Sequence, residues 1–179
     1  MSIIGPRSLD KIAEKVTVKI LTGLLESFID NVCRDKVYPV KGSIVYCDLG
    51  FAFEHSGVYV GDGKIVHRDG GGYLAAVSPK TFIDRLDGFN NAISIYVSCH
   101  DEDAVGSEKV AKRALAALSD PKLAVGYDLL ENNCHHFCQY CLTGVEQGLL
   151  NYSFESLQNT MKKVYPFDNW RVWDVDISW

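Results

Sequence analysis

Apolar and polar positions divide the chain into a long helix, a group of short strands and then further helices. From Ser8 to about Cys33, Leu9, Ile12, Ala13, Val16, Ile20, Leu24 and Phe28 recur at steps of three and four. Asp10, Lys11, Glu14, Lys15 and Lys19 fall mostly on the other side. This spacing predicts one amphipathic helix capped by Ser8. Its polar face mixes both charge signs, which fits packing on the domain, or pairing with a second copy, better than a basic membrane-binding face. Pro39 and Lys41-Gly42 open a different regime. Ser43–Cys47, His55–Val60, Lys64–His67 and Asn91–Val97 read as strands, with Gly61-Asp62-Gly63 turning the second into the third. Gly70-Gly71-Gly72 marks a loop. Ser107–Leu118 reads as an alanine-rich helix ended ahead of Pro121. A helix of roughly ten residues starts after Asn133 and stops at Gly144. Another runs from Ser153 to about Val164, ahead of Pro166. The order predicts an α+β fold with a mostly antiparallel sheet. The tail Phe167–Trp179 holds all three tryptophans, which predicts a segment docked on the surface.

Length and composition narrow the classes. A chain of 179 residues supports one domain with a real core. Within it we expect an N-terminal helical extension (1–36), a catalytic core (37–148) and a C-terminal helix with its docked tail (149–179). The net charge of −5, with no basic run, argues against nucleic acid as a partner. The start Met1-Ser2-Ile3-Ile4-Gly5-Pro6-Arg7 has no charged segment followed by an apolar block, and no apolar run reaches bilayer length. The expectation is a cytoplasmic protein with no transmembrane segment, peripheral membrane contact staying open. It is expected as a monomer or as a homodimer through the N-terminal helix. In that compartment the six cysteines are thiols, not bridges.

The chemistry centres on Asn133-Cys134-His135-His136-Phe137-Cys138-Gln139-Tyr140-Cys141. Cys134 falls in the first turn of its helix, where free N–H groups and the positive dipole end favour thiolate. At about 100° per residue, Cys134, Cys138 and Cys141 form one stripe on the core-facing side, with Phe137 beside it. His136 falls on the far side of the wheel. His135 is intermediate and reads as a surface residue. The bland reading of Cys134 is an ordinary buried cysteine; the histidines of the hairpin weigh against it. If Asp62-Gly63 alone formed the loop, His67 would lie opposite Val58, and His55 and His67 would face opposite sides of the sheet. A three-residue loop, Gly61-Asp62-Gly63, sets Gly57 opposite His67 and puts His55, Gly57, Tyr59, Ile65 and His67 on one face. We expect the three-residue loop, with Gly57 leaving space for the two rings. If the Cys134 helix packs on that face, all three side chains converge.

Other chemistries share these residues. Cys134, Cys138 and Cys141 have the spacing of cluster-binding radical enzymes, which need a far larger β/α barrel with the cysteines on a loop. Cys138 and Cys141 resemble a redox pair, without a βαβ frame. A zinc site from Cys134, His135, His136, Cys138 and Cys141 lacks a second short ligand pair. His100, beside Asp101, Glu102 and Asp103, reads as a solvated loop. No metal or organic cofactor is required by the Cys–His reading.

His55-Ser56-Gly57-Val58-Tyr59-Val60-Gly61-Asp62-Gly63-Lys64-Ile65-Val66-His67 resembles the histidine block of lecithin:retinol acyltransferase-like proteins. Asn133-Cys134-His135-His136-Phe137 resembles that family's Asn-Cys-Glu-His-Phe block, with His135 in the place of the usual Glu. Cys141 matches a position in some members. Gly42 resembles the family's opening Gly-Asp, with Ser43 replacing the acid. The resemblance covers roughly residues 40 to 145. It implies a circularly permuted papain-like fold of the NlpC type. It implies Cys134 as nucleophile, His55 as base and His67 as the orienting third member of a Cys-His-His triad. Members move acyl groups from phospholipids to amines, alcohols or water through a thioester. The hydrophobic C-terminal anchor of vertebrate members is absent, which puts a lipid substrate in doubt. PPPDE-type isopeptidases share an Asn-Cys block after a segment like Tyr127-Asp128-Leu129-Leu130, but work through a His/Cys dyad. The expected function is therefore a thiol hydrolase or acyltransferase on acyl ester or amide substrates, lipid or peptide. A PPPDE-like or NlpC-like cysteine peptidase and a non-catalytic binding module are the alternatives. Purified protein is expected to carry no stoichiometric zinc or iron, and chelators to leave its melting temperature unchanged; one zinc per chain by elemental analysis would reverse the choice.

Overall fold

The computed structural model describes residues 36–48, 54–84, 94–121, 123, 133–145 and 153–175. The expected helix at 8–33, the Tyr127–Leu130 segment and Trp179 lie outside the described residues. Among the described residues seven strands build one sheet. They are β1 (Ile44–Asp48), β2 (Glu54–Gly61), β3 (Lys64–Arg68), β4 (Leu74–Val77), β5 (Tyr96–His100), β6 (Asp103–Ala104) and β7 (Asn169–Val172). The order is β4-β3-β2-β1-β5-β6, with β7 paired to β5, and every strand pairing is antiparallel. The helices are α1 (Pro79–Ile83), α2 (Glu108–Ala117), α3 (Cys134–Thr143) and α4 (Phe154–Val164). The fold is α+β with a mostly antiparallel sheet. No described helix is long and apolar enough to cross a membrane.

Local chemistry explains the helix starts. Ser78, Ser107, Asn133 and Ser153 are extended N-cap residues whose side chains accept a backbone N–H of the first turn. Gly144 ends α3 in the left-handed conformation at φ 77°. Two layers cover the sheet. On one side Ile44, Val58, Val60 and Val66 pack with α2, α3 and α4 through Val110, Ala114, Phe137, Cys138, Cys141, Leu157 and Met161. On the other, Val45, Cys47, Ile65 and Val97 pack with Phe82 and Ile83 of α1 and with Trp173. Alternation along each strand thus feeds two cores instead of a core and solvent.

The hairpin register is the expected one: Val58 pairs with Val66 and Tyr59 with Ile65, which sets Gly57 opposite His67. Its origin differs. The tip is the two-residue Asp62-Gly63, both left-handed at φ 50° and 64°, and the extra residue sits in β2 as a bulge between Tyr59 and Gly61. Gly57 does not leave open space between the rings. A Cβ there would lie 2.6 Å from Ile65 and 3.1 Å from Phe82.

Three further expectations need correction. The fourth expected strand, read at 91–97, is found at 96–100 among the described residues, where the buried Ser98 donates to the Val105 carbonyl and accepts from the Ile44 N–H; 91–93 lie outside the described residues. The tail is not merely docked on the surface: Asn169–Val172 forms a ladder with β5, Val37 bridges to Trp173, and Trp173 is buried. Strand β4, helix α1 and strand β6 complete the fold beyond the elements that periodicity predicts.

Gly42 is where the start of the sheet crosses the start of α2. Its φ is 85°, its N–H donates to the Tyr59 carbonyl at 2.7 Å, and its own carbonyl accepts from the Tyr165 hydroxyl at 2.7 Å. A Cβ there would collide with the backbone of Ser107. Gly106 faces the same crossing, its Cβ position 2.6 Å from the Ser43 nitrogen. Gly42→Ala is expected to destabilise the domain by about 2 kcal/mol or more, from positive φ and overpacking together. For a chain of this size that lowers the melting temperature by roughly 4–8 °C. Calorimetry showing an unchanged transition would contradict the crossing.

Candidate active site

His55 in β2 and His67 in β3 are diagonal neighbours on the α1 side of the sheet. Both are buried, and His55 Nε2 lies 3.1 Å from His67 Nδ1. Their rings are edge-on, with centroids 5.0 Å apart. Phe82 closes the pocket, 4.9 Å from the His55 ring and 5.6 Å from the His67 ring by centroids. Ser78 and Pro79, at the cap and first position of α1, hold Phe82 there. The hydrogen bond runs between His55 Nε2 and His67 Nδ1.

Cys134 stands at the first position of α3, behind the cap in which Asn133 Oδ1 accepts the His136 N–H at 2.9 Å. The Cys134, Cys138, Cys141 stripe faces the core as expected, and all three thiols are buried and free. The face they meet differs from the expected one. Cys138 Sγ lies 3.4 Å from Ser56 Oγ, so α3 covers the side of β2 opposite the histidine pair. Alternation of side chains along β2 is the reason. Cys134, at the helix end, lies where β2 begins: its sulfur is 3.9 Å from the Glu54 carbonyl, which is bonded directly to the His55 nitrogen.

Two expectations about electrostatics change. Burial is the largest influence on the Cys134 thiol and pushes its pKa up, against hydrogen bonds from Ser56, His135 and its own N–H that pull it down. The helix terminus alone therefore does not make a resting thiolate. His135 is not a surface residue. It is buried, its Nδ1 is 2.9 Å from Ser56 Oγ and 3.9 Å from Cys134 Sγ, and its ring packs on Phe154. Burial depresses its pKa to about 4, leaving it neutral at pH 7. The helical wheel places His135 beside the stripe, but α4 packs there too, so the buried sector of α3 is wider than one stripe.

The zinc alternative drew on α3. Among the described residues, the side chains close enough to share an ion are instead His100, Asp101 and Asp168, all exposed, with ligand atoms within 4.8 Å of one another. His100 ends β5, and its Nδ1 lies 2.9 Å from the Asp168 carboxylate, remote in sequence from the acidic turn beside it.

The model of the family described as lecithin retinol acyltransferase matches residues 38–147, more than half of the chain. The chain belongs to the lecithin retinol acyltransferase family. Egg-laying defective protein 26 of Caenorhabditis elegans is 28% identical in a match covering 63% of this chain and 41% of that protein. The chain thus spans about two fifths of that relative's length. No solved structure matches. Both histidines, Cys134 and the corrected His135 lie inside the family match.

The His135 pKa carries a stability consequence. A group held below its ordinary 6.5 in the fold binds fewer protons than the unfolded chain between that value and about 4. Its contribution is present in full above pH 6.5 and is lost as pH falls toward 4. His135→Asn, which can keep the Ser56 bond without titrating, is expected to flatten the fall in stability across this window, read by denaturant melts at stepped pH. Identical acid limbs in the two proteins would mean that His135 titrates normally.

Proposed function

We propose that the chain is a thiol acyltransferase or hydrolase that works through an acyl-thioester on Cys134. The observation that carries the reading is the buried His55–His67 pair at 3.1 Å, with His55 on the strand whose first carbonyl meets the Cys134 sulfur. Membership of the lecithin retinol acyltransferase family supports acyl transfer by a thiol in general. The order of parts, histidine strands first and capped nucleophile helix afterwards, supports a circularly permuted papain-like arrangement. A second histidine bonded to the first favours this branch over an isopeptidase with a His/Cys dyad.

In this reading His55 Nδ1 removes the Cys134 proton as the sulfur attacks an ester or amide carbonyl. His67 accepts the hydrogen bond from His55 Nε2–H and so fixes the ring in the tautomer whose unprotonated Nδ1 acts as base. Backbone N–H groups at the start of α3, that of Cys134 among them, receive the oxyanion. The tetrahedral species collapses, and the leaving alcohol or amine takes its proton from His55. Water or an amine then attacks the thioester with His55 again as base. A buried, protonated resting thiol makes the base essential, because no standing thiolate is available.

Mass spectrometry of the full chain after incubation with phosphatidylcholine vesicles, or with acylated peptides, tests the class. The expected product is an acyl adduct on Cys134 that hydroxylamine removes; the same adduct on Cys134→Ala protein would overturn the reading. His55→Ala should lower turnover by about a hundred- to ten-thousandfold. His67→Ala should cost less and leave the fold intact, and His67→Asn should recover part of the loss, because an amide oxygen still accepts from His55.

A further inference from the structure

We propose that Ser56 and His135 form a second arm of the Cys134 site, a hydrogen-bond relay in which His135 Nδ1–H donates to Ser56 Oγ and the Ser56 hydroxyl donates to the Cys134 sulfur. The inference rests on Cys134 being the nucleophile. It follows from the capacity of one hydroxyl. Ser56 Oγ has one proton and two lone pairs. Cys138 Sγ, 3.4 Å away, is a thiol whose pKa burial drives far up, so it stays protonated and donates into one lone pair. His135 Nδ1, 2.9 Å away, fills the other when it carries the ring proton. In this relay the remaining proton serves Cys134, whose sulfur lies 3.9 Å from the same His135 Nδ1; hydrogen bonding from Ser56 is the leading influence that pulls the Cys134 pKa down.

The placement gives the relay its use. Ser56 follows His55 and His135 follows Cys134, so one bond clamps the strand of the base to the helix of the nucleophile. Ser56 is fully buried and His135 nearly so, and water does not compete for these bonds. The groups that face the relay are the Cys134 and Cys138 thiols of α3, the Ser56 hydroxyl of β2 and the Phe154 ring of α4. Burial is the one cause of the lowered His135 pKa, so no charged neighbour enters. When His55 takes the thiol proton, the negative charge on sulfur meets a donor already in place. No proton moves along the relay. His135 acts through Ser56 and is a positioning residue, whereas Ser56 carries the donor that the relay aims at the sulfur.

The test is the rate at which iodoacetamide alkylates Cys134 in the full chain, read by mass spectrometry as a function of pH, which requires no substrate. Ser56→Ala is expected to raise the apparent pKa of Cys134 and to slow alkylation at neutral pH by roughly tenfold, the size of a hydrogen bond to a charged group. His135→Phe, which keeps the packing on Phe154, should do the same. The double variant should be no slower than Ser56→Ala alone, as for residues acting in series. His135→Asn, whose amide N–H can donate to Ser56 Oγ, should recover most of the loss. Nitrogen NMR should find the His135 proton on Nδ1. Wild-type rates and pH profiles in Ser56→Ala, additive losses in the double variant, no recovery with Asn in a folded protein, or a proton on His135 Nε2 would each overturn the relay. An acyl adduct that persists in Cys134→Ala would instead sink the nucleophile, a separate failure seen in a separate experiment.

Discussion

The parity of β2 governs the site. One extra residue, absorbed as a bulge between Tyr59 and Gly61, sends His55, Gly57 and Tyr59 to the α1 side and Ser56 and Val58 to the helical side. Without it, His67 would pair with Val58, and its ring would enter the helical layer. Because both faces of the sheet are buried, such a slip would exchange two cores at once. The register is therefore fixed by packing on either side as well as by the Asp62-Gly63 turn. Gly57 expresses the same constraint: Ile65 and Phe82 fill the space above it, so the rings of His55 and His67 meet over a floor with no side chain.

Placing the His55 ring and helix α3 on opposite faces of one strand has a chemical consequence. Cys134 meets β2 at its end, beside the Glu54 carbonyl, and not across a shared face. A carbonyl is an acceptor, and burial also disfavours charge, so both favour the thiol over the thiolate. The free N–H groups of the helix start act in the other direction and do not prevail. Burial thus favours the uncharged Cys134 thiol, and in the proposed function the donors around it have most to contribute as charge develops on sulfur.

Much of this was legible in the sequence, and the reasons are local. Serine and asparagine caps, and the glycine after α3, act over one turn, so their residues alone announce them. The hairpin register followed from alternation plus loop length, even though the extra residue proved to sit in the strand. Strand β4 is Leu-Ala-Ala-Val and β7 is Asn-Trp-Arg-Val, too short and too mixed for periodicity to register. Helix α1 carried a readable Ser-Pro start but only five residues, and with it the Phe82 wall was missed. His135 was misread because a helical wheel assumes one buried face. Here β2 and α4 enclose α3 from two sides, and both His135 and Gln139 are buried. The sequence signal that could have found it is its adjacency to Cys134 together with a polar Ser56 just ahead of Val58 and Val60 on the helical face of β2.

A histidine, in place of a carboxylate, as the proposed third member changes what the pair can do. A carboxylate beside His55 would stabilise imidazolium before substrate arrives and so favour a standing ion pair with the thiol. His67 offers a ring nitrogen in that place. Its ring and the Phe82 ring pack against His55 and orient it. Burial at the sulfur disfavours charge separation in the resting site. In the proposed mechanism it becomes favourable when the sulfur's electrons pass to a carbonyl carbon and the negative charge moves on to an oxygen at the start of α3. Proton removal and attack are on this account coupled, and substrate binding, not the resting electrostatics of the protein, sets when the nucleophile forms.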